Sequence, residues 1–213
     1  ITTGAGGGDI ILGGGADSNS DGRPDGFAYG GYATGIEPAP GWGGGTAGTA
    51  AVYLSSATLD AGTGSIAIRG TGTGTAGNFA IGVWLSLSSL SGGSVTIDGV
   101  GSRRALGSSQ WGLLLSATNV DSSGNIDLDG EGGGSPAGNA DSNQHGLAIL
   151  GQGGAATEIE ASGNGAVTVS GVGGGYLGTV RDGAGVLFMS GQTIATDSGD
   201  ITIEGTPGLN GDY

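Results

Sequence analysis

Gly124-Asn125-Ile126-Asp127-Leu128-Asp129-Gly130 decides the fold. Between two glycines, aliphatic and polar residues alternate with a period of two. That period belongs to a β-strand with one buried face. The phrase recurs as Gly64-Ser65-Ile66-Ala67-Ile68-Arg69-Gly70 and as Gly93-Ser94-Val95-Thr96-Ile97-Asp98-Gly99. It returns at Gly165–Gly171 and Gly199–Gly205, with a looser copy at Gly8-Asp9-Ile10-Ile11-Leu12-Gly13. The copies starting at 64, 93, 124, 165 and 199 are 29, 31, 41 and 34 residues apart. A recurrence of this length is the mark of a solenoid or another repeat architecture.

Two further phrases lie between the copies. One reads glycine, aliphatic, any, apolar, as in Gly82-Val83-Trp84-Leu85, Gly112–Leu115, Gly146–Ile149 and Gly185–Phe188, with Ala51–Leu54 in the first unit. The other carries one aliphatic residue, at Leu59, Leu90, Val120, Ile159 and Ile194. Three short strands per unit predict one coil of an all-β parallel β-helix with a strand on each of three walls. About five to six coils stack at about 4.8 Å. The columns Ile66, Val95, Ile126, Val167, Ile201 and Ile68, Ile97, Leu128, Val169, Ile203 are expected inside. Glycines are expected to supply the positive φ of the corners. The general rule for parallel crossovers makes the coil right-handed. Length varies between Gly70 and Gly82 and at the equivalent places, so one corner loop varies and is a candidate binding face. A glycine-rich linker and a β-sandwich compete with this fold, but the aliphatic registry of five units argues for the helix.

Composition narrows the function classes. Of 213 residues, 54 are glycine, with no strict period of three, so the chain is not collagen. Nineteen acids against five arginines give a net charge of −14, which opposes nucleic acid and anionic lipid as partners. No run of about 18 apolar residues exists, so no helix inserts into a membrane. The chain lacks cysteine, which excludes disulfides and thiolate metal sites.

The units resemble the glycine-rich β-helical repeats of large bacterial surface exoproteins of the filamentous haemagglutinin and adhesin type. The resemblance covers residues 48–205 and is carried by the phrases above, most typically Asn78-Phe79-Ala80-Ile81-Gly82-Val83-Trp84-Leu85. It implies secretion to the bacterial cell surface, a right-handed parallel β-helix, and a role in adhesion or as a stalk.

Asp17-Ser18-Asn19-Ser20-Asp21-Gly22-Arg23-Pro24-Asp25-Gly26 has the spacing of a calcium loop. Ca2+ takes six to eight hard oxygens, and alternate residues of a tight turn wrap one side of it. Asp17, Asn19 and Asp21 fill the first three ligand positions, Arg23 offers its backbone carbonyl, and Asp25 binds directly or through water. Ala28 stands where an EF-hand needs glutamate, so the loop resembles the short thrombospondin type 3 loops instead. The competing reading is an acidic turn without metal. The loop opens an insertion over 14–47 within a single solenoid domain spanning 1–213. Phe27, Tyr29, Tyr32 and Trp42 in that insertion read as a small packed lobe or as sugar-stacking rings.

Little else in the chain carries chemistry. His145 occupies the slot held by Ile81, Trp111 and Ala184 in other units, and reads as a structural corner residue. Gly72–Gly77 matches a dinucleotide fingerprint but precedes another strand phrase, where that fingerprint needs a helix. Asp127 and Asp129 share a strand face about 7 Å apart, the arrangement that glycosidic hydrolysis uses. Arg69, Asp98, Asp129, Ser170 and Glu204 form one outward column. Threonines at 96, 168 and 202 suggest an ice-binding row, which Ala67 and Asp127 break. No capping unit is legible after Glu204, so the chain is expected either to stack end to end into a fibre or to adjoin solenoid segments of a longer protein. A cell-surface glycan or receptor is the expected ligand. The alternative is a carbohydrate-binding or polysaccharide-degrading β-helix.

Overall fold

The computed structural model describes residues 1–4, 6–13, 28–30, 49–72, 80–102, 109–134, 143–175 and 183–208. Every described strand pairs in parallel, in three sheets that form the three walls of a β-helix. Wall I holds the alternating phrase: β1 (Ile10–Leu12), β5 (Ser65–Gly72), β8 (Ser94–Val100), β11 (Ile126–Glu131), β14 (Val167–Val172) and β17 (Ile201–Thr206). The short β2 (Ala28–Gly30) also pairs with β5, at Gly70–Gly72, in line with β1. Within the 14–47 insertion the described residues, Ala28–Gly30, thus lie on this wall. Wall II holds β3 (Thr49–Ser55), β6 (Ala80–Ser86), β9 (Leu113–Ser116), β12 (Leu147–Leu150) and β15 (Val186–Phe188). Wall III holds β4 (Thr58–Asp60), β7 (Ser89–Gly92), β10 (Asn119–Ser122), β13 (Thr157–Ala161) and β16 (Gln192–Thr196).

The register places like on like. Ile66, Val95, Ile126, Val167 and Ile201 are successive partners, as are Ile68, Ile97, Leu128, Val169 and Ile203. Leu59, Leu90, Val120, Ile159 and Ile194 stack on wall III. On wall II, Val52, Val83, Leu113, Leu147 and Val186 do the same. These columns meet inside as one core. The last coil departs from the expected burial: Ile201 and Ile203 are 45% and 48% exposed, because among the described residues no coil lies above them.

Glycine acts at the corners in two ways: Gly62 and Gly163 between walls III and I, and Gly153, Gly154 and Gly191 between walls II and III, take the expected positive φ, whereas the glycines of the repeated phrases do not. At the corner between walls I and II, Gly70, Gly99, Gly130 and Gly171 face Gly82, Gly112, Gly146 and Gly185 backbone to backbone. A Cβ on Gly146 would lie 2.5 Å from the Val172 nitrogen and 2.6 Å from the Gly130 oxygen. The opening glycines Gly64, Gly93, Gly124, Gly165 and Gly199 each press on the carbonyl of the coil before. None of these glycines has a positive φ. They are required by close approach of backbone, and their conformational freedom is not used.

In the corner between walls II and III a positive φ also falls on the non-glycine residues Ser56, Leu87 and Ala117, at 51°, 50° and 49°. Such a backbone costs about 1–2 kcal/mol per non-glycine residue. Hydrogen bonds on both sides hold it. The Ser56, Leu87 and Ala117 N–H groups donate to the next coil, at Ser86 O, Ser116 O and Leu150 O. Just beyond the corner stands a buried hydroxyl. Ser88 Oγ donates to Ser86 O at 2.9 Å and accepts from Ala57 N–H, while Thr118 Oγ1 lies 3.2 Å from Leu85 O. Thr157 Oγ1 donates to Leu150 O at 2.6 Å and accepts from Thr118 N–H. The corner thus has an internal hydroxyl ladder that the sequence phrases did not reveal.

Candidate functional site

Three outward faces follow from the three walls. On wall I, alternation turns the polar residue of each pair outward. One column runs Ile11, Ala67, Thr96, Asp127, Thr168, Thr202 and the next Arg69, Asp98, Asp129, Ser170, Glu204. Asp127 and Asp129 are both exposed on β11, with Glu131 half-buried beyond them. Ser170 Oγ donates to Asp129 Oδ1 at 2.7 Å. The perturbed carboxyl is Asp98, one coil from Asp129. Burial pushes its pKa up, and Asp129 and Glu131 add to this, while Arg69 opposes it. Sequence reasoning chose the two carboxylates along one strand. Coil stacking also pairs Asp98 with Asp129 across two strands, as neighbours in the outward column read from the sequence.

Wall III carries a second polar face. Asp60, Ser91, Asp121 and Glu160 are successive partners, and Asn119 pairs with Glu158. Ser91, Asp121, Ser123, Glu160 and Ser162 line a shallow depression of about 390 Å3. Burial, and then the Glu158 charge, raise the Asp121 pKa. Sequence reasoning missed Asp121, because the wall III phrase shows only its one aliphatic residue.

The outward side of wall II is apolar and closed. Trp84, Leu114 and Ala148 join Ile81, Trp111 and Leu150 in a second core outside the coil, with Tyr53 and Leu187 packed against it. The Tyr53 and Trp84 rings lie 4.7 Å apart, and Trp84 is only 4% exposed. These rings serve packing and offer no open platform to a sugar. His145 belongs to the same region. It is buried, its Nδ1 accepts the Ala184 N–H at 3.1 Å, and its ring lies 5.8 Å from Trp111. It joins one coil to the next, in keeping with the structural role expected of it.

The remaining sequence-predicted sites fall elsewhere. Asp17, Asn19, Asp21, Arg23 and Asp25 lie outside the described residues, as do Phe27, Tyr32 and Trp42. Tyr29 is described only as a backbone partner of Thr71. Most of each segment whose length varies, at 73–79, 103–108, 135–142 and 176–182, also lies outside them. Among the described residues, no three metal-ligating side chains converge. No helix of the described residues is long and apolar enough to cross a membrane. No protein-family model matches the chain, and neither a curated protein nor a solved structure matches it.

Proposed function

We propose that this chain is a non-catalytic solenoid rod of a bacterial surface adhesin or fibre, exposed outside the cell, which carries binding loops at one corner. One observation carries the reading. Buried hydroxyls and His145 join coil to coil, as in Ser88 to Leu54 O, Thr118 to Leu85 O and His145 to the Ala184 N–H. That is the chemistry of a load-bearing rod, and it agrees with the exoprotein resemblance of the repeat phrase. The variable corner loops are the parts free to differ from coil to coil, and a cell-surface glycan or receptor is the ligand class that suits them.

The test immobilises the full chain and overlays a glycan array and intact host cells. Retention that is lost when the corner loops are shortened supports the reading. A second reading, polysaccharide hydrolysis, is favoured by the raised Asp98 carboxyl beside Asp129. It is tested on the same protein by following reducing ends from acidic and neutral polysaccharides. Steady release that disappears in Asp129→Ala would replace the rod with an enzyme.

The calcium loop belongs to the same proposal. Its support is the spacing of Asp17, Asn19, Asp21 and Asp25 and the preference of Ca2+ for such oxygens. Millimolar Ca2+ is expected to raise the melting temperature of the chain but not of Asp17→Asn/Asp21→Asn. An equal response of both proteins would leave the loop as an acidic turn.

A further inference from the structure

One corner of the rod places an asparagine before a glycine in an exposed turn. Among the described asparagines, Asn119, Asn125 and Asn143 precede Val120, Ile126 and Gln144, and Asn164 alone precedes a glycine. Glycine has no Cβ to keep its nitrogen away from the side chain before it, and asparagine is among the thermolabile residues. Asn164 is exposed, in the turn Ser162–Gly165 between walls III and I, where Gly163 has a φ of 64°. The Gly165 N–H donates to Ser162 O at 3.1 Å, toward the long end of the range for such bonds. Both neighbouring coils press on the same step. A Cβ on Gly165 would strike Gly124 O of the coil before, and one on Gly199 would strike Gly165 O from the coil after.

We propose that Asn164 is a site of spontaneous covalent modification, in which the Gly165 nitrogen closes on the Asn164 side chain. A bond forms from the Gly165 nitrogen to Asn164 Cγ. The nitrogen gives its proton to solvent base, the Cγ–Nδ2 bond breaks, and the side-chain nitrogen leaves as ammonia. The succinimide ring then takes up one water. Opening at the former side-chain carbonyl gives aspartate. Opening at the backbone carbonyl gives isoaspartate, in which the chain runs through the former side chain. Isoaspartate adds an atom to the backbone where the register is fixed on both sides. The Ser162 N–H donates to Ser122 O, and the Ala166 N–H to Asn125 Oδ1. Ile159 and Val167, before and after the turn, are buried in the core. The extra atom therefore falls on the turn itself. That turn also holds the next coil: the Gly163 N–H donates to Asp197 Oδ2 at 2.8 Å, and Ser198 Oγ lies 2.6 Å from Gly163 O and 2.9 Å from Asn164 Oδ1. Isoaspartate disrupts these contacts and loosens the coil of β16 and β17. Aspartate keeps the chain length and adds only a charge.

The full chain is held at mildly alkaline pH, where the amide nitrogen gives up its proton more readily, and samples are cut with trypsin over time. Cleavage after Arg104 and Arg181 puts Asn164 in the fragment 105–181 and the second asparagine–glycine step of the chain, Asn210-Gly211, in 182–213. The two are thus read apart, by fragment mass spectra for position and by isoaspartyl methyltransferase labelling for isoaspartate. Isoaspartate at position 164 is expected to accumulate with time and to be absent from Asn164→Ser. The converted protein, separated on an anion exchanger as the more acidic species, should unfold at lower urea than fresh Asn164→Asp, which carries the charge without the extra backbone atom. Position 164 unchanged in the folded chain, whether or not Asn210 converts, would overturn the proposal. Conversion that leaves the urea midpoint equal to that of Asn164→Asp would overturn the loss of coil register.

Discussion

At the scale of single residues, what a side chain touches in the next coil sets its importance. Thr157 accepts the Thr118 N–H and donates to Leu150 O in a fully buried position. Thr157→Val keeps the shape and strands the Thr118 N–H, while Leu150 O keeps the Ala117 N–H. A stranded buried polar group costs about 1–3 kcal/mol, and the urea midpoint should fall accordingly. Gly146→Ala drives a Cβ into three backbone segments at once. Overpacking against backbone costs about 3 kcal/mol. Gly6→Ala, which meets nothing within 4 Å, should change stability by less than about 0.5 kcal/mol. Chemical denaturation of the two variants side by side checks whether space, and not glycine content, is what the corner requires. Asp98 illustrates the charge side. Burial and the neighbouring carboxylates raise its pKa in the folded chain, so the fold disfavours its charged form. Stability is therefore lost as pH rises from its ordinary value of 3.8 through the raised one. Asp98→Asn should melt higher than the parent at neutral pH, and the advantage should vanish in acid below that ordinary value. Melting curves across pH decide it.

At the scale of elements, position along the stack grades the strands. Ile126 on β11 is fully buried between two coils, whereas Ile203 on β17 is half exposed. Removing a buried isoleucine to alanine costs about 2–5 kcal/mol, because a cavity remains. Ile126→Ala is expected in that range. Ile203→Ala is expected near about 1 kcal/mol, since only part of its side chain leaves water on folding. Hydrogen exchange should follow the same gradient, slow in β8 and β11 and fast in β17, because among the described residues the last coil has a neighbour on one side only. The strand phrases and their pairing were legible in the sequence because period-two alternation and a repeated glycine frame survive in every unit. The hydroxyl ladder was not legible. Ser88, Thr118 and Thr157 each stand two residues before the wall III aliphatic residue, at Leu90, Val120 and Ile159, but a hydroxyl at that offset does not by itself show that it is buried.

At the scale of the whole molecule, coil stacking creates surfaces that no single unit owns. The Asp98–Asp129 pair draws residues from two coils, and the depression at Ser91, Asp121 and Glu160 from three or more. The second core around Trp84 and Trp111 draws from three or more. The two ends differ as well: Ile10 is buried and Ile201 is not.

The sequence by itself determined the coil. Its repeated alternation leaves one way to bury five sets of short apolar faces, which is to lay each coil on the last. It also determined which aliphatic residues share a column, since a slip of one residue would turn every one of them to solvent. Only the tertiary structure decided why the glycines of walls I and II are there, which non-glycine residues take a positive φ, and which polar residues gather around Asp121. Those depend on the approach of backbone and side chains from coils 29 to 41 residues away, a separation at which local pattern holds no distance information.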